Sequence, residues 1–148
     1  MTPYYQEDGI TIFNGDCRDI LPSLARFDLL LTDPPYGIGE LMNGGTWGGA
    51  AKYAEMRQWD VAPDSETIAL LIAAAMDSII WGGNNFNLPQ SRCWFVWDKG
   101  TSVPTLSDVE LAWTSMSKPS KRFRHSRDHY DYKHPTQKPI AHMLWCLS

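Results

Sequence analysis

The sequence predicts an α/β domain with a largely parallel sheet, and three observations carry that prediction. Apolar and β-branched runs of strand length recur along the chain. A segment with helical apolar spacing stands between two of them. Glycine and proline turns bound the runs, so strands alternate with helices as in βαβ units. The chain has 148 residues, 43% apolar and 20% charged, enough for one domain with a core.

Taken in order, residues 9–16 (GITIFNGD) alternate Ile10 and Ile12 and predict a short strand ending in a turn. Residues 17–27 (CRDILPSLARF) predict a short helix disturbed by Pro22. Residues 28–33 (DLLLTD) form a continuous apolar run, as expected of a strand covered on both faces. Residues 37–63 contain six glycines and two tryptophans and predict a flexible glycine-rich loop. Residues 63–78 are the strongest helix. Asp64 or Ser65 can cap it, and Ile68, Leu71, Ile72, Ala75, Met76 and Ile79 form one apolar stripe. Three further strands follow at 78–83, 93–99 and 109–115. A basic loop at 116–133 then leads into a helix that opens near Thr136 and runs to Ser148.

Composition narrows the function. No apolar run is long enough to span a bilayer, and the first residues show no signal-peptide pattern. Cys17, Cys93 and Cys146 lie far apart without a CxxC pair, which suits a reducing cytosol rather than a disulfide scaffold. His125 and His129 have i, i+4 spacing but no accompanying cysteines, so no metal site is predicted. The net charge of −4 hides an uneven distribution: residues 118–138 carry +5 and the remainder −9. Such a basic stretch is either a polyanion footprint or a solvated charged loop.

The chemistry concentrates at Asp33-Pro34-Pro35-Tyr36. A residue before proline is held extended, and each proline fixes φ and offers a carbonyl without an N–H. Asp33 therefore ends a strand on a stiff corner, beside the Pro34 carbonyl and the ring of Tyr36. Open α/β sheets bind ligands at that edge. Two fixed acceptors and a stacking plate suit a planar group bearing NH₂, such as the exocyclic amine of a nucleobase. Hydrogen bonds to both N–H atoms would favour a pyramidal, nucleophilic nitrogen. A base reaches such a corner only when flipped out of its stack.

DPPY at 33–36 resembles the catalytic motif of S-adenosylmethionine-dependent DNA amino-methyltransferases, with aspartate in first place as in the N6-adenine type. HPTQKP at 134–139 resembles the cofactor-side motif of the permuted group, in which the catalytic half comes first. NGDC at 14–17 and WDK at 97–99 resemble further segments of that family, in family order. The resemblance implies a Rossmann-like methyltransferase sheet. Asp33, Pro34, Pro35 and Tyr36 would be catalytic. Asp16, Cys17, His134, Thr136, Gln137 and Lys138 would line the S-adenosylmethionine site, while Lys99 receives no role. Lys118, Lys121, Arg122, Arg124 and Arg127 would meet DNA phosphates.

The family continues past HPTQKP into a glycine turn of the type DPFxGSGT, which this sequence lacks. The resemblance thus implies an incomplete sheet without its central cofactor-binding strands, completed by a missing C-terminal segment or a second chain. Residues 9–16 would then detach, pair with the DPPY strand, or pair with another chain. Rival readings are an N4-cytosine methyltransferase, an inactive DNA-binding remnant, and one half of a split enzyme. Trp47, Tyr53 and Trp59 read equally as DNA contacts or loop packing. Trp81, Trp94, Trp97 and Trp113 read as core, Cys93 as a buried apolar residue, and His142, Met143 and Trp145 as one packing face.

Overall fold

A computed structural model describes residues 2–39, 59–100, 102, 107–126 and 137–148. Among the described residues the strands and α-helices are, in order, β1 (Tyr5–Glu7), β2 (Ile10–Ile12), α1 (Cys17–Ile20), β3 (Phe27–Thr32), α2 (Ser65–Ala73), β4 (Ala75–Trp81), β5 (Trp94–Asp98), β6 (Val109–Thr114), β7 (Lys121–Arg124) and α3 (Ile140–Cys146). Strands β3-β4-β6-β5-β7 form one five-stranded sheet, and β1 and β2 form a separate antiparallel hairpin. Most of residues 37–63 lie outside the described residues.

The sheet is mixed rather than largely parallel. β3 runs parallel to β4, and β5 runs parallel to β7, but β6 is antiparallel to both β4 and β5. The physical reason lies in the connections. The helical crossover α2 can return the chain parallel to β3, whereas the short link from β5 to β6 makes them antiparallel neighbours. Residues 121–124, expected inside a loop, form the edge strand β7. Its Phe123 packs against the core, which explains why this basic run adopts extended backbone.

α2 begins where the sequence indicates: the Asp64 side chain accepts from Thr67 N at 2.7 Å. It ends at Ala73, short of the expected 78. Residues Ala75–Ser78 belong to β4, and the parallel pairing of Phe27 with Ala75 takes them out of the helix. α1 also matches, with Pro22 inside the 3₁₀ turn that follows it. α3 starts at Ile140, after Pro139, so Gln137 and Lys138 precede the helix instead of forming its first turn.

Alternation along the strands fixes which residues share a face. Leu29, Leu31, Ile79, Trp81, Phe95, Trp97, Ala112 and Phe123 pack with Met143, Trp145 and Cys146 of α3. Trp81 and Trp97 are essentially fully buried, each contributing roughly 2–3 kcal/mol of apolar burial. Trp113 is also buried, on the other face, while Trp94 is half-buried. Cys93 is buried and free. Among the described residues, no helix is long and apolar enough to cross a membrane.

Candidate active site

The site forms where β3, β4 and β5 end and β6 begins. Leu29, Leu31 and Asp33 alternate onto one side of the chain. Trp97 and Lys99 of the β5 end do the same, and Glu110 of β6 pairs in register with Trp97. With Lys138, just before α3, these make four charged side chains from distant parts of the sequence that meet on the α3-covered face.

Asp33 leaves β3 with its side chain about 30% exposed. Its Oδ1 accepts from the Tyr36 hydroxyl at 2.7 Å. Its Oδ2 accepts from Lys138 Nζ at 2.6 Å, and the same ammonium donates to Tyr36 Oη at 3.0 Å. Lys138 also pairs with Glu110 Oε2 at 3.3 Å, and Glu110 Oε1 pairs with Lys99 Nζ at 3.1 Å. Lys99 in turn donates to the Ser107 carbonyl. The charges alternate in sign from Lys99 through Glu110 and Lys138 to Asp33. The Lys138 side chain is only 4% exposed.

That arrangement sets the protonation of its members. Burial pushes the Tyr36 phenol well above its ordinary value, and the Asp33 carboxylate pushes it in the same direction, so Tyr36 stays a donor. Burial alone would raise the Glu110 carboxyl. The ammonium groups of Lys138 and Lys99 outweigh it and hold Glu110 below the ordinary carboxylate value. His142, one turn into α3, has its pKa lowered to about 4, first by burial and then by Lys138.

Two residues outside the DPPY motif shape the turn. Asp60 accepts three consecutive backbone N–H groups: Oδ1 from Tyr36 at 2.8 Å and Gly37 at 3.0 Å, and Oδ2 from Ile38 at 2.8 Å. Gly82, in the left-handed region at φ +69°, lies directly under the Tyr36 ring, and a Cβ there would overlap that ring. Phe86 meets the ring edge-on at 6.2 Å. The ring expected to stack on a base is therefore held by Gly82 and Phe86, with its hydroxyl on Asp33.

The remaining expected residues are distributed as follows. Pro34 and Pro35 carry the chain from β3 to Tyr36. Asp16 caps α1 by accepting from Arg18 N at 2.9 Å, and its carboxylate is gripped by the Arg18 guanidinium. That grip lowers its pKa to about 2. Cys17 is exposed. His134, Thr136 and Arg127 lie outside the described residues. Asp16 and Lys138 share no hydrogen bond or ion pair, and each is engaged within the chain. The exposed residues Lys121, Arg122 and Arg124 lie on β7, where alternation puts Arg122 and Arg124 on the face opposite Lys121. Arg122 reaches Asp98 at 3.8 Å, and Lys118 is exposed before the strand.

Sequence reading missed Asp60 and Glu110. Glu110 carried a usable signal, a carboxylate inside an otherwise apolar strand (VELAWT). Asp60 carried none, because its partners are backbone groups.

Comparison with known proteins adds one partial relationship. A stretch of 44 residues is 39% identical to the Type II methyltransferase M.ScaI of Streptomyces caespitosus. The match covers 28% of this chain and 14% of that protein, far less than two thirds of its length. No protein-family profile matches the chain. No solved structure matches it.

Proposed function

We propose that this chain is the catalytic part of a DNA methyltransferase, with S-adenosylmethionine as methyl donor and the N6 amine of an extruded adenine as acceptor. The observation that carries the reading is Asp33: a partly exposed carboxylate on a diproline corner at the end of a strand, ringed by fixed donors. The partial likeness to a Type II methyltransferase supports its coarser part, DNA methyl transfer.

In this reading the amine donates its N–H atoms to Asp33 and to the Pro34 carbonyl. Positive charge develops on the nitrogen as it gains a methyl group, and the Asp33 carboxylate stabilises that charge. As the N–C bond formed, the donor's S–CH₃ bond would break and leave a neutral thioether, and the cationic nitrogen would then pass one proton to Asp33. Tyr36 orients the carboxylate through its hydroxyl, and exposed Arg122, Arg124, Lys118 and Lys121 meet phosphates.

The test is transfer of labelled methyl from S-adenosylmethionine to DNA, followed by digestion to nucleosides. N6-methyladenine is the expected product. N4-methylcytosine would change the base and keep the chemistry. No transfer at any protein concentration would reject activity of this chain by itself and leave the split-enzyme reading below.

A second reading, one half of a split methyltransferase, is favoured by the β3 edge. β3 has no described neighbour on its outer side, and Phe27, Ile10, Ile12 and Tyr5 are exposed nearby in sequence. In that case calorimetry with S-adenosylmethionine gives no heat for this chain alone, while salt-dependent DNA binding persists.

A further inference from the structure

Lys138 presents a physical conflict. An amine acquiring a methyl group becomes cationic beside Asp33. The Lys138 ammonium already lies 2.6 Å from the same carboxylate, in a setting where its own side chain is 4% exposed. Two cations on one carboxylate repel strongly where solvent screening is weak. Glu110 offers the resolution, since its Oε2 lies 3.3 Å from Lys138 Nζ. Held ionised between two ammonium groups, Glu110 is a second anion already in contact with that cation.

We infer that Glu110 is a positioning residue that shares Lys138 with Asp33, drawing the ammonium away so that Asp33 can accept an incoming amine. The functional part of this inference rests on the methyltransferase reading; the sharing itself does not. Lys99 completes the device. It pairs with the other Glu110 oxygen at 3.1 Å and fixes that carboxylate without touching Asp33. Removing Glu110 would leave Lys138 with Asp33 as its one carboxylate partner among the described residues.

The sharing is tested by chemical labelling, independently of any activity. Reductive methylation of the whole chain, read by peptide mass spectrometry, reports the reactivity of each lysine. In the wild type, Lys138 reacts at least about 10-fold more slowly than exposed Lys118 and Lys121. Either carboxylate alone retains the ammonium, so Asp33→Asn and Glu110→Gln each change its labelling by less than about 3-fold. The double variant raises it by about 10-fold or more, a non-additive response. Release of Lys138 by Asp33→Asn alone, or wild-type labelling as fast as at Lys118, overturns the inference. Circular dichroism identifies any variant that fails to fold. For such a variant Glu110→Asp, which keeps the charge on a shorter arm, replaces Glu110→Gln and alone is expected to label within about 3-fold of the wild type; a larger rise overturns the inference.

Methyl transfer then separates the two ideas. In Glu110→Gln, kcat falls at least about 10-fold while KM for S-adenosylmethionine stays within about 3-fold. Adding Lys138→Met recovers part of the loss, because the competing cation is gone. Additive losses in the double variant overturn the functional part. Absence of transfer in the wild type rejects methyl transfer by this chain acting alone, as the split-enzyme reading also expects, and the labelling arms still decide the sharing.

Discussion

Two aspartates, Asp16 and Asp33, each form a short ion pair, and the pairs differ in almost everything except length. Asp16 meets Arg18, two residues away, at 2.5 Å, with side chains 39% and 60% exposed. Asp33 meets Lys138, 105 residues away, at 2.6 Å, and the lysine is buried. The first pair is local: its carboxylate caps a single helical turn and its arginine folds back onto it. The second joins the end of β3 to the segment before α3, across the folded domain. A short distance therefore says little about role. Separation along the chain and exclusion of water distinguish a capping contact from one that organises a site.

The largest expected effect separates the two aspartates by activity. Asp33→Ala lowers methyl transfer by about 10³-fold or more, while affinity for S-adenosylmethionine, measured by calorimetry, stays within a few fold. Asp16→Ala gives the reverse pattern if Asp16 serves the donor: transfer recovers at saturating S-adenosylmethionine. Equal loss of donor binding in Asp33→Ala would remove the contrast.

A second substitution disturbs the Asp33 region without touching a charge. Gly82→Ala places a methyl group into the Tyr36 ring and requires a strained left-handed backbone for alanine. Unfolding in urea is expected to show a loss of roughly 3–4 kcal/mol. Transfer falls as well, because Tyr36 is pushed from Asp33. An unchanged midpoint would mean that the ring has room to move and does not fix the carboxylate.

These two regions also show what a sequence can reveal. The Asp16 cap was not read from the sequence, whereas the Asp64 cap of α2 was, because a helix with a clear apolar stripe follows it. So was Asp33, because the two prolines dictate local geometry whatever surrounds them. Strands β3 to β6 were legible from their apolar, aromatic and β-branched runs, whereas β7 was hidden in a run read as a basic loop. The strand directions were not legible: the reversal of β6 depends on which strands become neighbours. The end of α2 was misplaced because Ala75 and Met76 suit a helix locally, while pairing with β3 overrides that preference. The partners of Lys138 were illegible for the same reason. HPTQKP suggested a lysine in the first turn of a helix, but the fold sets it just before that helix and brings it to Glu110 and Asp33.

Acid should separate the regions by stability. His142 is fully buried among Trp81, Trp97 and Phe123, with neither ring nitrogen hydrogen-bonded among the described residues. Its pKa is lowered from 6.5 to about 4, so the fold holds it neutral. Between those values the unfolded chain binds a proton that the folded chain refuses. Stability is thus full above about pH 6.5 and declines as pH falls towards 4, by about 3 kcal/mol in all. Urea melts across this range measure the slope. In His142→Leu that part of the slope disappears, and stability at pH 7 holds because two unsatisfied buried polar atoms are gone. A slope unaltered by the substitution would assign the acid sensitivity to other groups.

The smallest effect belongs to the exposed pair. Arg18 holds the Asp16 carboxyl at a pKa of about 2, below its ordinary 3.8, first by hydrogen bonding and then by its charge. A depressed folded value means that the pair's contribution is present above the ordinary pKa and is lost as pH falls through about 2. Water screens both partners, so Arg18→Ala is expected to leave the melting temperature nearly unchanged at pH 7. It should nevertheless move the Asp16 titration upward towards 3.8, followed by carboxyl carbon chemical shifts. If the shift stays near 2, the backbone N–H of residue 18 holds the carboxylate without the guanidinium, and the cap rather than the ion pair defines this end of the molecule. If instead the melting temperature falls sharply, the pair is less screened than its exposure implies, and the contrast with Asp33 narrows to one of location.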